Sequence, residues 1–139
     1  MNILVSACLL GIDCKYNGKN NLNEQVVRIG EKHTLIPVCP EQLGGLKTPR
    51  AASEICGGKV INIDGEDVTV QYKKGAEEAL KIAKQCNCRM AILKEKSPSC
   101  GTKNVYDGTF SKKLISGMGI CAQLLHENGI EVHDENEFL

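Results

Sequence analysis

With 139 residues, 42% of them hydrophobic, the chain suits one domain, residues 1–139, around one core. Seventeen Lys and Arg balance seventeen Asp and Glu, which removes the general electrostatic case for nucleic acid or an anionic membrane. Aromatics make up 4% and there is no Trp, so a stacking platform for single strands is excluded as well.

The chain opens MNILVSACLLG, with no basic leader, no small-residue cleavage site and an apolar run too short to span a bilayer. Ile3 to Ala7 is expected as a first strand, in a protein of the cytoplasm. Asn17 to Asn23 is rich in Gly and Asn and reads as a loop. Leu22 to Ile29 carries apolar residues at helical spacing, with Gly30 as a stop. Thr34 to Val38 is a second strand, and Pro37 argues against a central place for it. Pro40 suits the first turn of a short helix, closed by Gly44 and Gly45.

Lys59 to Ile63 and Val68 to Tyr72 flank Asp64-Gly65, a hairpin signal. Lys73 to Gln85 is an amphipathic helix with Ala76, Ala79, Leu80 and Ala83 on one side. Met90 to Leu93 is the third main strand, followed by a Ser/Pro/Gly-rich loop through Gly108. Gly119 to Glu127 is the last helix and Ile130 to Val132 the last strand. The acidic stretch Asp134 to Glu137 reads as a solvated end. Alternating strands and helices predict an α/β fold with a mainly parallel, Rossmann-like sheet flanked by helices and an inserted β-hairpin.

Eight cysteines without a secretory leader favour metal, cluster or redox chemistry over a disulfide framework. About half of them are expected to be ordinary buried thiols. Cys8, Cys39 and Cys100 each follow a predicted strand. Ligands of open α/β sheets bind beyond the carboxyl ends of the strands, so these three converge on one edge. Three soft thiolates with an open fourth position suit a 4Fe–4S cluster or a zinc site. Cys14 shares the first loop and stays open as a fourth ligand or a neighbouring thiol. Cys56 is open too. Cys86 and Cys88 form a pair at the opposite sheet edge, and Cys121 falls inside the last helix as a core residue.

Three motifs carry a resemblance. They are Ser6-Ala7-Cys8-Leu9-Leu10-Gly11, Val38-Cys39-Pro40-Glu41 with Gly44-Gly45-Leu46 and Thr48-Pro49-Arg50, and Ser97-Pro98-Ser99-Cys100-Gly101. Together with Tyr106-Asp107-Gly108-Thr109-Phe110 they resemble a bacterial domain-of-unknown-function family that includes the thiouracil desulfidases. The resemblance spans nearly the whole chain. It implies a 4Fe–4S cluster on Cys8, Cys39 and Cys100, whose remaining iron binds the sulfur of a thiolated nucleobase such as 2-thiouracil. It implies active-site roles for Glu41 and Ser97.

On that reading the iron is a Lewis acid toward the thiocarbonyl, water attacks the carbon, and Glu41 serves as acid and base. Taken alone, Glu41 is a first-turn glutamate that favours a helix N-terminus, and Ser97 is a turn residue beside Pro98. Lys94, Lys96 and Arg50 either steer an anionic substrate or are solvated, and Arg50 could instead brace the second loop. No nucleophile elbow or phosphate loop is present. His33, His126 and His133 look peripheral. The expected partner is a small thiolated base, with no membrane and no nucleic acid, and a homodimer is left open. The competing functions are a non-catalytic zinc- or cluster-binding module and a redox-thiol protein using Cys86 and Cys88.

Overall fold

The computed structural model describes residues 1–138. Four strands form a parallel sheet in the order β2-β1-β5-β8. They are β1 (Asn2–Ser6), β2 (Thr34–Val38), β5 (Met90–Leu93) and β8 (Glu131–Asp134). The expected parallel α/β architecture is therefore present. Pro37 lies on an edge strand, where its missing N–H costs the ladder least.

Alternation along β1 divides the core. Leu4 points to one face, where Ala91 and Leu93 meet the alanine side of α3 (Thr69–Gln85) and the inner side of α4 (Ile120–Glu127). Ile3 and Val5 point to the other, toward Val26 of α1 (Glu24–Ile29) and Leu9. A parallel sheet must be covered on both faces, and period-two burial on β1 supplies both cores.

Two antiparallel hairpins lie outside the sheet. The first differs from its expected place. It pairs β3 (Ser53–Cys56) with β4 (Lys59–Asn62) across Gly57-Gly58, whose φ values are +57° and +81°. A two-residue hairpin turn of this kind demands positive φ at both positions, and the glycine pair meets that demand. Asp64-Gly65 instead makes a small turn capped by the Asn62 side chain, and Val68 onward turns into α3. The second hairpin, β6 (Asn104–Tyr106) with β7 (Leu114–Ser116), lies partly inside the stretch read as loop.

The helix α2 (Pro40–Leu43) crosses α3 with backbone against backbone. A Cβ on Gly75 would stand 1.8 Å from the Pro40 carbonyl oxygen, and one on Gly44 would stand 1.9 Å from that of Gln71. Glycine at both positions is what permits this approach.

The acidic end is only partly solvated: Asn136 and Glu137 are exposed, but the two residues before them are not. Asp134 is 2% exposed and Glu135 8%. A 3-10 turn over Glu135–Phe138 folds back on the sheet. There Glu135 accepts the Glu95 N–H at 2.8 Å and pairs with Lys94 at 3.0 Å. Glu95, also buried, places one carboxylate oxygen within 2.9–3.3 Å of the N–H groups of Lys96, Thr102, Lys103 and Asn104. These bonds fasten both ends of the loop that carries Cys100. Buried donors left without an acceptor are costly, so Glu95→Ala should lower stability by about 3 kcal/mol in urea unfolding. An unchanged midpoint would mean that α4 alone holds the loop.

Candidate functional site

The chain runs from β1 out to β2 and later returns to the other side of β1 as β5, so the order reverses at β1. The crevice beyond the carboxyl ends of strands at such a point is where α/β sheets bind ligands. Here it opens into a cavity of about 420 Å³ whose wall includes Cys8, Cys39, Glu41, Ser97 and Cys100. All five candidate residues are thus brought together, and Cys14 joins them.

Cys8 lies in the 3-10 turn Ala7–Leu10 directly after β1. Cys39 is the residue immediately before α2, and its side chain makes no capping hydrogen bond to the first turn. Cys100 is held by the tightest framing of the three. The Ser97 hydroxyl accepts the N–H groups of Ser99 at 3.1 Å and Cys100 at 3.0 Å. The first amides of α4 then take the carbonyls of Pro98 and Ser99 at 2.9 Å. Ser97 is therefore the turn residue its neighbourhood suggests, and its own proton remains available to the cavity.

The thiols differ in their readiness to ionise. A hydrogen bond from Cys14 is the main reason that Cys39 is lowered to about 7, against the opposing effect of burial. Cys14, the donor, is raised correspondingly. Burial pushes Cys8 up, with a hydrogen bond from Asn21 working against it. Burial also pushes Cys100 well above the ordinary thiol range. Metal binding takes the thiolate form, so an iron or zinc would compete with protons most easily at Cys39.

The donor set fits a cluster. Thiolates are soft ligands suited to iron–sulfur centres. Among the described residues, no three His, Cys, Asp or Glu side chains converge closely enough to hold one metal ion. A tetrahedral zinc needs such convergence, whereas a cluster offers each thiolate its own iron. The Ser99 hydroxyl, beside Cys100 on the same wall, is buried without a hydrogen-bond partner. A sulfur-rich group in the cavity would supply an acceptor.

Glu41 projects from the first turn of α2 into the cavity wall. One carboxylate oxygen accepts from Arg50 and the other from the Tyr72 hydroxyl. Burial, reinforced by the charge of Glu41, pushes Tyr72 far above the ordinary phenol range, so it remains a donor. Burial disfavours the Arg50 charge, but Glu41 more than offsets this and holds its pKa above the ordinary value. Arg50 also donates to Thr48 Oγ1 and the Cys14 carbonyl, both at 2.9 Å. It braces the second loop rather than steering ligands from solvent. Lys94 is likewise committed, to Glu135. Sequence reasoning missed Tyr72, because Val68 to Tyr72 read as a strand. It also missed Glu95.

The remaining cysteines stay apart. Cys86 follows α3 and Cys88 precedes β5, at the amino end of the parallel sheet. Cys56 is exposed at the hairpin tip. Cys121 is fully buried in α4, where burial raises it to about 12. The double substitution Cys86→Ser with Cys88→Ser should leave sulfide release within about twofold of the parent, since substitutions far from a site with no shared partners act independently. A large loss with normal iron content would point to a redox-thiol role.

A family model described as 2-thiouracil desulfurase matches residues 3–137. YbbK of Bacillus subtilis (strain 168), an uncharacterized protein, is 45% identical over 145 residues, spanning 97% of this chain and 96% of its own length. A solved structure of a 4Fe–4S-dependent thiouracil desulfidase, TudS, is similar with a TM-score of 0.92 and 38% identity, over 98% of this chain and 91% of that one. The matches run from the first strand through the last 3-10 turn and so take in all three cysteine loops. The chain belongs to the 2-thiouracil desulfurase family.

Proposed function

We propose that this protein removes sulfur from a thiolated pyrimidine such as 2-thiouracil, using a 4Fe–4S cluster held by Cys8, Cys39 and Cys100. The observation that carries the reading is the single cavity shared by these three thiols, Glu41 and Ser97 at the strand-order reversal. The cluster, when bound, supplies a Lewis-acidic iron toward the thiocarbonyl sulfur. The net reaction consumes one water. The carbonyl oxygen comes from it, the sulfur leaves as hydrogen sulfide, and no electrons are exchanged.

The chain's own residues then have separate tasks. Glu41 is a pure acceptor with two of its roughly four acceptor positions taken, which leaves room for a proton from water. In the reverse sense the same group returns that proton to the departing sulfur. Ser97 offers its free hydroxyl proton to the pyrimidine ring. The two hairpins contribute Ser53 and Tyr106 to the wall and restrict bulk water. Residues 1–139 act as one catalytic unit on a small molecule.

A reducing compartment such as the cytoplasm suits eight free thiols and a cluster. Among the described residues, no helix is long and apolar enough to cross a membrane.

The test is anaerobic purification followed by metal analysis and incubation with 2-thiouracil. The expected result is a brown protein with about four irons per chain that releases sulfide. A colourless zinc protein with no turnover, prepared without oxygen, would overturn the proposal and favour a structural metal module.

A further inference from the structure

The Glu41 carboxylate is held from two sides by groups that are themselves fixed. Arg50 is 6% exposed at its side chain, and its guanidinium is anchored before it reaches the carboxylate. One nitrogen donates to the Lys47 carbonyl at 3.3 Å and Thr48 Oγ1 at 2.9 Å, while the other reaches the Cys14 carbonyl at 2.9 Å. The same Cys14 carbonyl lies 3.7 Å from the Cys39 sulfur, so the arginine shares a partner with a proposed ligand.

Tyr72 approaches from the opposite side. It sits in the first turn of α3, 2% exposed, packed with Val60 and Val68 under the first hairpin. Its hydroxyl donates to Glu41. The glycine contact between α2 and α3 leaves no slack between the helix that carries Glu41 and the helix that carries Tyr72.

A buried ion pair is weak evidence for stability, because desolvation cancels much of the attraction. What this one delivers is direction. A free glutamate samples several rotamers about three side-chain bonds. Here both carboxylate oxygens are claimed by donors from different elements. We infer that Arg50 and Tyr72 are positioning residues that clamp the Glu41 carboxylate in one orientation toward the cavity, an inference that rests on the proton-transfer role given to Glu41 above.

Misplacing a reacting group by about 1 Å can cost 10²-fold in rate. Tyr72→Phe removes one arm and keeps the ring in the core. Tested on anaerobically prepared holoprotein with 2-thiouracil, it should lower kcat by about 10–100-fold. KM should stay within about threefold, since Tyr72 keeps its ring on the cavity wall and the hydroxyl it loses is spent on Glu41. Iron content and melting temperature should remain near those of the parent. Arg50→Lys, which keeps the charge and loses the fork, should retain more turnover than Arg50→Met.

The decisive measurement is the double variant. In a Glu41→Gln background there is no catalytic carboxylate left to aim, so Tyr72→Phe should lower kcat by less than about twofold further. Losses that multiply in the double variant would overturn the clamp. So would an effect confined to KM or to iron content, or a Glu41→Gln protein that turns over as fast as an active parent. An unmodified holoprotein that releases no sulfide would overturn the functional reading on which the clamp rests.

Discussion

Cys8→Ser, Cys39→Ser and Cys100→Ser proteins, purified without oxygen, should each be nearly colourless and carry little iron, while Cys121→Ser stays brown. The three sites lie on three separate segments, each directly or shortly after a strand of the parallel sheet, and each lines the same cavity. Cys14 is the one neighbouring thiol on the cavity wall, and its bond to Cys39 together with burial holds its proton on, so it is a poor substitute for a lost thiolate. Serine offers a hard oxygen whose proton is far harder to remove, so it is a poor ligand for iron beside sulfide. Cys121 is the matched control. It is also buried, in α4, but it does not line the cavity. Its replacement should cost stability and leave iron in place. Iron and sulfide analysis with visible absorbance on the four variants checks this. A full cluster in any of the first three would remove that cysteine from the ligand set.

For Glu41→Gln the expected result is a brown protein with nearly normal KM and turnover lowered by about 10²–10⁴-fold, the usual contribution of a general acid–base group. Gln keeps the size and part of the hydrogen bonding with Arg50 and Tyr72, but it cannot carry the proton. Arg50 loses its charged partner in a buried place, so stability should also fall, by about 1–3 kcal/mol. Sulfide release, iron content and melting temperature on one sample set separate the two effects. A fully loaded Glu41→Gln protein with near-normal sulfide release would shift the role to Ser97 or to water alone.

Much of the architecture was legible because it is written locally. Thr34–Val38 and Met90–Leu93 are short β-branched or apolar runs with clear ends, and both are strands with those bounds. The cysteine placement followed from the same strands, since a residue just past a parallel strand has little choice of sheet edge. Glu41 and Ser97 were different. Residue chemistry alone offers a helix-start glutamate and a turn serine, and both local descriptions hold in the structure.

What stayed hidden is long-range pairing. Tyr72 meets Glu41 across 31 positions and Glu95 meets Glu135 across 40. No periodicity records such partnerships. The hairpin shifted for a related reason. Gly57-Gly58 and Asp64-Gly65 are both turn signals seven residues apart, and local preference cannot choose which strand will find a mate.

The glycine crossing of α2 and α3 bears on how the enzyme could be improved. Gly75 lies within a long helix, where helix propensity alone ranks alanine about 1 kcal/mol better. A thermostability campaign guided by propensity would place Gly75→Ala among its first choices. Here the added methyl would meet the Pro40 carbonyl, and α2 would have to retreat with Cys39 and Glu41 at its start. Optimising that helix in isolation would therefore act against the site, and directed evolution should hold residues 44 and 75 constant while it explores the exposed face of α3.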